Sequence, residues 1–359
     1  MTLGIVVGDA EDTIIQAQRE PFSYYKKELK NCLDLKIKQY NANTFQGINE
    51  ICRTHDSDII FLFPSWRESL GEDSIAIAEN IVKHLKIDYP KRKLVFIDPF
   101  AQTSTNFFKL LPYVDYFLKR QCYKNLSEYQ NSFIGGSSFT DYLATNYNLD
   151  FSQWYVGSEL PKDHINKIMP GWNLGTTKKF KKSLFKKPLF GFNKNKKTID
   201  IFCRMSLGDS SKNEWYTKYR IMAIEALNSL SNYKIVTSAK DRNNLVSRRQ
   251  YESELKSSRI VFSPFGWGEN CWRDFEAVCC DSLLIKPSMS HIVTSPSIFR
   301  ENETYVPVKW DFSDLKEKSR YYLEKPNEAK RIIENAKETY KNYFIKKDFL
   351  KKIEMLIKE

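Results

Sequence analysis

The chain has 359 residues, of which 42% are hydrophobic and 14% aromatic, so it can bury more than one hydrophobic core. No stretch approaches the roughly 18 consecutive apolar residues of a membrane span, and the opening residues do not resemble a signal peptide. The formal net charge of +12 is distributed unevenly along the chain.

The seven cysteines show neither a CxxC pair nor a zinc-ligand spacing. An odd number of cysteines without a disulfide framework indicates reduced, mostly buried thiols in a cytosol-like compartment. The sequence therefore predicts a cytoplasmic protein of two α/β domains.

The first half alternates strand and helix patterns. Short apolar runs predict strands at 3–8, 58–63, 93–97 and 114–118, and residues 73–85 carry helical periodicity. This alternation predicts an N-terminal Rossmann-like domain over residues 1–170. Its first turn lacks the GxGxxG pattern of dinucleotide-binding proteins.

A lysine cluster follows in residues 171–197, which we interpret as a basic linker. Nine lysines lie within twenty residues and leave only +3 for the remainder of the chain: Lys178, Lys179, Lys181, Lys182, Lys186, Lys187, Lys194, Lys196 and Lys197. Such a cluster could contact anionic lipid headgroups, nucleic acid or an anionic glycan, or it could be a solvated linker.

The alternation resumes in the second half. Strands are predicted at 198–203, 233–237, 260–262, 283–285 and 305–308, with helices at 214–230, 247–257 and from Cys271 to Cys279. Lysine-rich amphipathic helices close the chain. We therefore predict a second Rossmann-like domain over residues 198–345 and a terminal helix over 346–359.

A polar group of side chains follows the strands of this second half. The turn Ser263-Pro264-Phe265-Gly266-Trp267-Gly268 comes directly after a buried strand, and its glycines let a backbone approach a ligand. Ligands bind parallel sheets at the carboxyl ends of the strands. The loops predicted to lie there carry Glu269, Arg273, Glu276, Lys286, Ser290 and His291.

The order of these motifs resembles a known family. The GWG turn followed by Arg273-Asp274-Phe275-Glu276-Ala277, and Leu283 to Pro287 followed by Met289-Ser290-His291, are similar to the exostosin-like C-terminal domain of GT-B glycosyltransferases. The runs Asp98 to Ser104 and Leu111 to Tyr116 resemble the N-terminal domain of the bacterial surface-polysaccharide transferases of this type. The clear resemblance covers about residues 198–345.

The resemblance implies two Rossmann-like domains facing across a cleft, with C-terminal helices. It implies that a nucleotide-diphosphate sugar binds the second domain and a glycan or lipid-linked glycan acceptor the first. This type of fold generally needs no bound metal, and the chain has no Asp-x-Asp motif to hold one. No cofactor beyond the donor substrate is expected.

The same resemblance implies roles for single residues. Glu276 occupies the position of the helix carboxylate that binds the nucleotide ribose, and bidentate guanidinium bonds suit a diphosphate. Cationic ligands of the diphosphate would be Arg204, Arg273 and Lys286; further donor contacts would come from Gly266, Trp267, Gly268, Glu269 and Ser290. Glu269 lies seven positions before Glu276, whereas many retaining members have glutamates eight apart, so the two pairs cannot be equated.

The catalytic groups depend on stereochemistry. An inverting enzyme needs a base that takes a proton from the acceptor hydroxyl. Asp98 is our candidate, with Asp9 and Asp115 as alternatives, and His291 is expected near the donor sugar. A retaining enzyme needs no such base, and strand-end aspartates often cap turns instead.

Two other classes compete with this interpretation. A sugar-nucleotide epimerase of the same fold would want more carboxylates and histidines than a chain with four histidines offers. A nucleic-acid-binding protein would spread its basic residues over both halves, whereas these residues are concentrated in one segment. We therefore expect a cytoplasmic glycosyltransferase that touches the inner face of the membrane through the lysine cluster, with no nucleic acid partner.

Overall fold

The computed structural model describes residues 1–71, 73–186, 196–208, 215–238 and 246–358. These residues form two compact α/β units. The first unit comprises three segments, Met1–Lys178, Ile292–Pro296 and Tyr343–Glu359, and the second comprises Lys179–His291 and Ser297–Asn342.

The elements alternate along the chain as the sequence predicts. The strands are β1 (Thr2–Gly8), β2 (Leu35–Asn41), β3 (Ile59–Phe63), β4 (Lys93–Ile97), β5 (Tyr116–Lys119), β6 (Gln121–Tyr123), β7 (Ile168–Pro170), β8 (Ile199–Cys203), β9 (Ile235–Thr237), β10 (Ser258–Phe262), β11 (Leu283–Pro287), β12 (Ile292–Thr294) and β13 (Val306–Val308). The helices are α1 (Thr13–Tyr24), α2 (Lys26–Leu33), α3 (Phe45–Thr54), α4 (Ser74–Asp88), α5 (Ser138–Tyr147), α6 (Lys178–Phe185), α7 (Trp215–Asn228), α8 (Arg248–Lys256), α9 (Trp272–Cys279), α10 (Leu315–Glu324), α11 (Pro326–Ile345) and α12 (Asp348–Lys358). Short 3₁₀ helices occur at Trp66–Ser69, Phe108–Tyr113, Leu126–Gln130, Ile134–Gly136, Lys162–Lys167 and Leu174–Thr176.

Each unit is built on a parallel sheet. The first has the strand order β2-β1-β3-β4-β5-β7, and the second has the order β13-β11-β10-β8-β9. The central strands are apolar on both faces, as strands covered by helices on both sides must be: Ile59–Phe63 is buried throughout. The strand order reverses beside β1 in the first sheet and beside β8 in the second, and such a reversal creates the crevice where open α/β sheets bind ligands.

The predicted basic linker is not a separate segment in the described residues. Helix α6 buries Phe180 and Leu184, and the Phe180 ring lies 5.8 Å from that of Phe275 and 6.4 Å from that of Tyr340. The chain passes from the first unit to the second after Lys178, and the buried face of α6 packs against residues of the second unit. Residues 187–195, with Lys187 and Lys194 of the lysine cluster, lie outside the described residues.

The C-terminal boundary also differs from the prediction. The chain returns to the first unit at Tyr343, so α12 is part of that unit's core instead of a separate terminal helix. The Phe349 ring lies 5.2 Å from Phe22, 5.7 Å from Tyr25 and 5.0 Å from Trp172. The Nζ atom of Lys93 donates a 2.7 Å hydrogen bond to the main-chain oxygen of Ile357. Among the described helices, none combines the length and apolar character that crossing a bilayer requires.

Candidate functional site

The polar side chains of the second unit gather where its strand order reverses. Strands β8 and β10 pair in parallel there, although β9 comes between them in the sequence. Their carboxyl ends continue into Arg204 and into Ser263, so both following loops start from the same edge of the sheet. This is the edge at which the sequence predicts a ligand site.

Arg273 joins these two loops. From the first turn of α9 its guanidinium donates to the main-chain oxygen of Arg204 at 2.8 Å, to Oγ of Ser263 at 3.2 Å and to the main-chain oxygen of Pro264 at 3.3 Å. The side chain is largely buried, with 9% of the residue exposed. The hydrogen bonds hold a planar cation in one orientation, which suits recognition of an oxyanion at this edge.

A second arginine, Arg220, lies beside the GWG turn. A Cβ atom added to Gly266 would stand 2.1 Å from Nη2 of Arg220, so the glycine leaves room for this guanidinium. Nη1 of Arg220 donates to the main-chain oxygen of Ser206 at 2.5 Å, which places the side chain against the loop after β8. A larger residue at position 266 would therefore occupy the space of the Arg220 guanidinium, which comes from α7.

Glu276 lies one helical turn beyond Arg273 on α9. Its Oε2 atom accepts a 2.9 Å hydrogen bond from the hydroxyl of Tyr251, and its Oε1 atom lies 3.2 Å from Nζ of Lys179. The side chain is 15% exposed, so it is partly shielded but open to solvent on one side. A carboxylate held in this way can accept hydrogen bonds from ligand hydroxyl groups.

Arg204 and Lys286, the other two predicted diphosphate ligands, are engaged with carboxylates. Arg204 makes a bidentate contact with Glu254, with 2.9 Å between Nη2 and Oε1, and also donates to the main-chain oxygen of Thr237 at 2.6 Å. Lys286 is fully buried, and its Nζ lies 3.2 Å from the buried carboxylate of Asp274. Both cations therefore support the loops that surround them.

Asp274 connects these supporting residues through buried hydrogen bonds and an ion pair. Its carboxylate accepts from Oγ of Ser263 at 2.5 Å and from the main-chain nitrogen of Cys271 at 2.9 Å, which caps α9. The start of α9 and the loop after β10 are thereby connected to Lys286 on β11. This hydrogen-bonded network holds the first turn of α9, which carries Arg273, in a fixed position against the loop after β10.

His291 and Glu269 form a further pair in the second unit. The Nε2 atom of His291 lies 3.6 Å from Oε1 of the buried Glu269, and its ring packs 5.1 Å from that of Trp310. Ser290, next to it, is exposed, and its hydroxyl accepts a 3.0 Å hydrogen bond from Ser288. In the GWG turn, the nitrogen of Gly266 donates to the oxygen of Gly268 at 3.1 Å, and Trp267 packs 5.1 Å from Tyr216.

Asp98, the predicted base, lies in the first unit and forms a buried ion pair with Lys119. It is fully buried, contacts Nζ of Lys119, and accepts a 2.6 Å hydrogen bond from Oγ1 of Thr105. Burial raises the pKa of its carboxyl, while Lys119 opposes that shift. A general base must reach the proton that it removes, and this carboxylate faces Lys119 and Thr105 instead.

Three contributors to the site were not predicted: Arg220, Tyr251 and Lys179. Each lies far from α9 in the sequence, and only the packing of α7, α8 and α6 brings them to it. The helical positions of Arg220 and Tyr251 could be predicted, whereas Lys179 was placed in the basic linker, and the sequence does not show which residue each of the three contacts. Among the described residues, no group of three or more histidine, cysteine or acidic side chains could hold a metal ion.

The match to a family model lies mostly in the second unit. Residues 215–351 match a family described as glycosyl transferase-like. The match includes Arg220, Arg273 and Glu276 and leaves the exostosin-like subtype a prediction. None of the curated proteins matches the chain.

Solved structures show the fold. A glycosyltransferase from Rickettsia africae ESF-5 is similar over 100% of this chain and 99% of its own, with a TM-score of 0.50 and 13% identity. The α/β class with two Rossmann-like units of the GT-B type, predicted from the sequence, is therefore confirmed. At this identity the likeness shows the fold and carries no statement about substrates.

Two further likenesses are weaker. The pneumococcal O-GlcNAc transferase GtfA in complex with UDP and GlcNAc has a TM-score of 0.45 and 11% identity, over 87% of this chain and 60% of its own. The UDP-GlcNAc 2-epimerase of Neisseria meningitidis bound to UDP-GlcNAc has a TM-score of 0.42 and 10% identity, over 98% of this chain and 100% of its own. With TM-scores below 0.5, these likenesses decide nothing between transferase and epimerase.

Proposed function

We propose that the protein is a glycosyltransferase that moves a sugar from a nucleotide-diphosphate donor to a glycan or lipid-linked glycan acceptor in surface-polysaccharide synthesis. The observation that carries the proposal is that the residues matching the family model are also those that supply the polar side chains of the site. The glycosyl transferase-like match spans residues 215–351, and the same residues supply Arg220, Arg273 and Glu276 at the reversal point of the second sheet.

The chemistry of these groups suits a nucleotide-diphosphate sugar. A leaving diphosphate develops negative charge, which two fixed guanidinium groups can stabilise without reorganisation. The proposal therefore needs no metal ion. Glu276 would accept hydrogen bonds from the ribose hydroxyls, and His291, oriented beside Glu269, would contact the donor sugar.

Arg204 and Lys286 enter the proposal as supports. Arg204 holds the loop after β8 through Glu254, and its main-chain oxygen accepts the hydrogen bond of Arg273. Lys286 neutralises Asp274, which caps the helix that carries Arg273 and Glu276. Gly268, Trp267 and Ser290 are proposed as contacts with the remainder of the donor.

We also propose that the lysine cluster guides the enzyme to an anionic membrane surface at the cytoplasmic face. Lys178, Lys179, Lys182 and Lys186 are exposed, and Phe185 beside them is 44% exposed. Each basic residue near an anionic leaflet contributes about 1 kcal/mol. Nucleic acid is not part of this proposal, because the basic residues are concentrated in one segment.

The experiment is a thermal-stability screen of the purified protein against UDP, GDP, dTDP, ADP and CMP, followed by the sugar nucleotides of any that bind. A ligand at a hundred times its dissociation constant stabilises the folded state by about 2.7 kcal/mol. We expect one nucleotide to raise the melting temperature of the wild type and of Lys182→Met, and to have little effect on Arg273→Met and Glu276→Ala.

The chemistry is then read from the products. Transfer of labelled sugar to a membrane extract supports the transferase proposal, whereas conversion of the free sugar nucleotide to its epimer supports the epimerase alternative. No stabilisation by any nucleotide would refute the donor site. A sedimentation assay with phosphatidylglycerol vesicles, and with phosphatidylcholine vesicles as the control, tests the membrane contact separately.

A further inference from the structure

Glu276 has two partners of different kinds in the structure. One carboxylate oxygen accepts from Tyr251 at 2.9 Å, and the other lies 3.2 Å from Nζ of Lys179. The tyrosine comes from α8 and the lysine from α6, so two different helices reach the same carboxylate.

The half-buried tyrosine packs against the core. The Tyr251 ring packs edge to face 5.2 Å from that of Phe202 in the buried strand β8. Burial, together with the Glu276 carboxylate, raises the pKa of the Tyr251 hydroxyl, so it stays protonated and continues to donate. Its ring position fixes the oxygen to which it donates, and with it the rotamer of Glu276.

The lysine is bound only loosely. The Lys179 side chain is 53% exposed, and an exposed ion pair contributes little free energy and is screened by salt. Its backbone, however, is held in place, because the neighbouring Phe180 is buried 6.0 Å from Trp272 and 5.8 Å from Phe275. The ammonium group therefore stays within reach of Glu276 even when it is displaced.

We propose that Lys179 and a donor hydroxyl compete for Glu276, while Tyr251 positions Glu276 for both. This inference rests on the proposed function, because it takes Glu276 as the carboxylate that binds the nucleotide. Lys179 is then a built-in competitor that lowers donor affinity, and Tyr251 is a positioning residue. Any anionic surface that engages the exposed face of α6 would draw Lys179 away and raise donor affinity.

The two residues predict effects of opposite sign. Removing the competitor in Lys179→Met should tighten binding of the nucleoside diphosphate about two- to fivefold, which corresponds to the small value of an exposed pair. Removing the positioning hydroxyl in Tyr251→Phe should weaken binding about five- to tenfold, the net value of one typical hydrogen bond. Lys182→Met, on the same helix and exposed, is the matched control for the loss of one positive charge.

The experiment is calorimetric titration of the full-length variants with the nucleoside diphosphate that most stabilises the wild type. Glu276→Gln is combined with each substitution, and both effects should disappear in that background because they act through the carboxylate. Raising the salt concentration should weaken binding less in the wild type than in Lys179→Met, since salt also screens the competitor.

The outcomes separate this inference from the proposed function. If Lys179→Met binds as Lys182→Met does, or more weakly than the wild type, Lys179 is not a competitor and the inference is overturned. If the effect of Tyr251→Phe persists in the Glu276→Gln background, the tyrosine does not act through Glu276. Absence of binding by the wild type refutes the donor site itself.

Discussion

The guanidinium of Arg273 donates a 2.8 Å hydrogen bond to the main-chain oxygen of Arg204, and this bond joins the loops that follow β8 and β10. The two residues lie 69 positions apart in the sequence. The side chain that the sequence predicts to bind a diphosphate is thus also a structural connection at the reversal point of the sheet. Stability and ligand binding should respond together when it is changed.

Replacement of Arg273 by Met should therefore lower the free energy of unfolding by about 1.5–3 kcal/mol, the value of hydrogen bonds to a charged donor. Nucleotide affinity should fall at least tenfold. Arg273→Lys should be intermediate, because an ammonium cannot span the three acceptors of the planar guanidinium. Urea unfolding and calorimetry measure the two effects, with the exposed Arg67→Met as the control. Unchanged stability in Arg273→Met would show that its three hydrogen bonds do not support the loops.

Gly266→Ala tests the space beside Arg220. The added methyl would collide with the end of a flexible side chain, which can move, so we expect less than about 1 kcal/mol of destabilisation. Nucleotide affinity should nevertheless decrease, because Arg220 is pushed from its place. In an Arg220→Met background the alanine should have no further effect on affinity. An additive effect would mean that Gly266 acts by a route other than Arg220.

Asp98→Asn tests the buried pair of the first unit. Removal of one partner leaves the Lys119 ammonium buried without its counter-ion, which costs about 3–5 kcal/mol. The double variant Asp98→Asn with Lys119→Met should recover much of this stability and bind nucleotide as the wild type does. A double variant that is stable and binds nucleotide but transfers no sugar would restore Asp98 as the catalytic base.

Lys197 should make the free energy of unfolding depend on pH in a direction that can be predicted. Burial lowers the pKa of the Lys197 ammonium to about 8. The ammonium donates hydrogen bonds to the main-chain oxygen of Cys280 and to the hydroxyl of Ser282. Because the unfolded chain keeps the ordinary, higher pKa, it binds more protons between about pH 8 and 10.5. The contribution of Lys197 to stability should therefore rise with pH across this window.

The variant Lys197→Met isolates that contribution. Urea unfolding at pH 7.5, 8.5 and 9.5 should show that the wild type gains stability relative to Lys197→Met as the pH rises. Lys196→Met, whose residue is exposed, should follow the wild type. A constant difference between wild type and Lys197→Met would mean that the ammonium keeps its ordinary pKa in the fold.

Most of the strand pattern could be predicted because buried parallel strands are short apolar runs. Strand β2 was missed because its sequence, Leu35 to Asn41, alternates apolar with charged and polar residues at the edge of the sheet. The period of two was present, but lysines at alternate positions resemble a solvated loop. Strand β7 has three residues, too few to give a pattern.

The part of the site whose residues belong to a single sequence motif could be predicted. Arg273 and Glu276 share a helix and lie at the expected edge, but their partners come from other elements and were not readable from spacing. The pairing of Asp98 with Lys119 was not predictable from the sequence for a similar reason. Ile97 pairs with Leu118 in the sheet, so Asp98 and Lys119 are the next residues on adjacent strands. Only that register reveals the buried pair.

The return of the chain to the first unit has a consequence for its synthesis. Phe349 completes an aromatic cluster with Phe22 and Trp172, yet the ribosome makes it after the entire second unit. Domains generally fold in the order in which they emerge during translation. We therefore expect the second unit to fold before the first is complete. The aromatic side chains that pack against Phe349 would stay exposed to solvent until α12 has left the ribosomal exit tunnel.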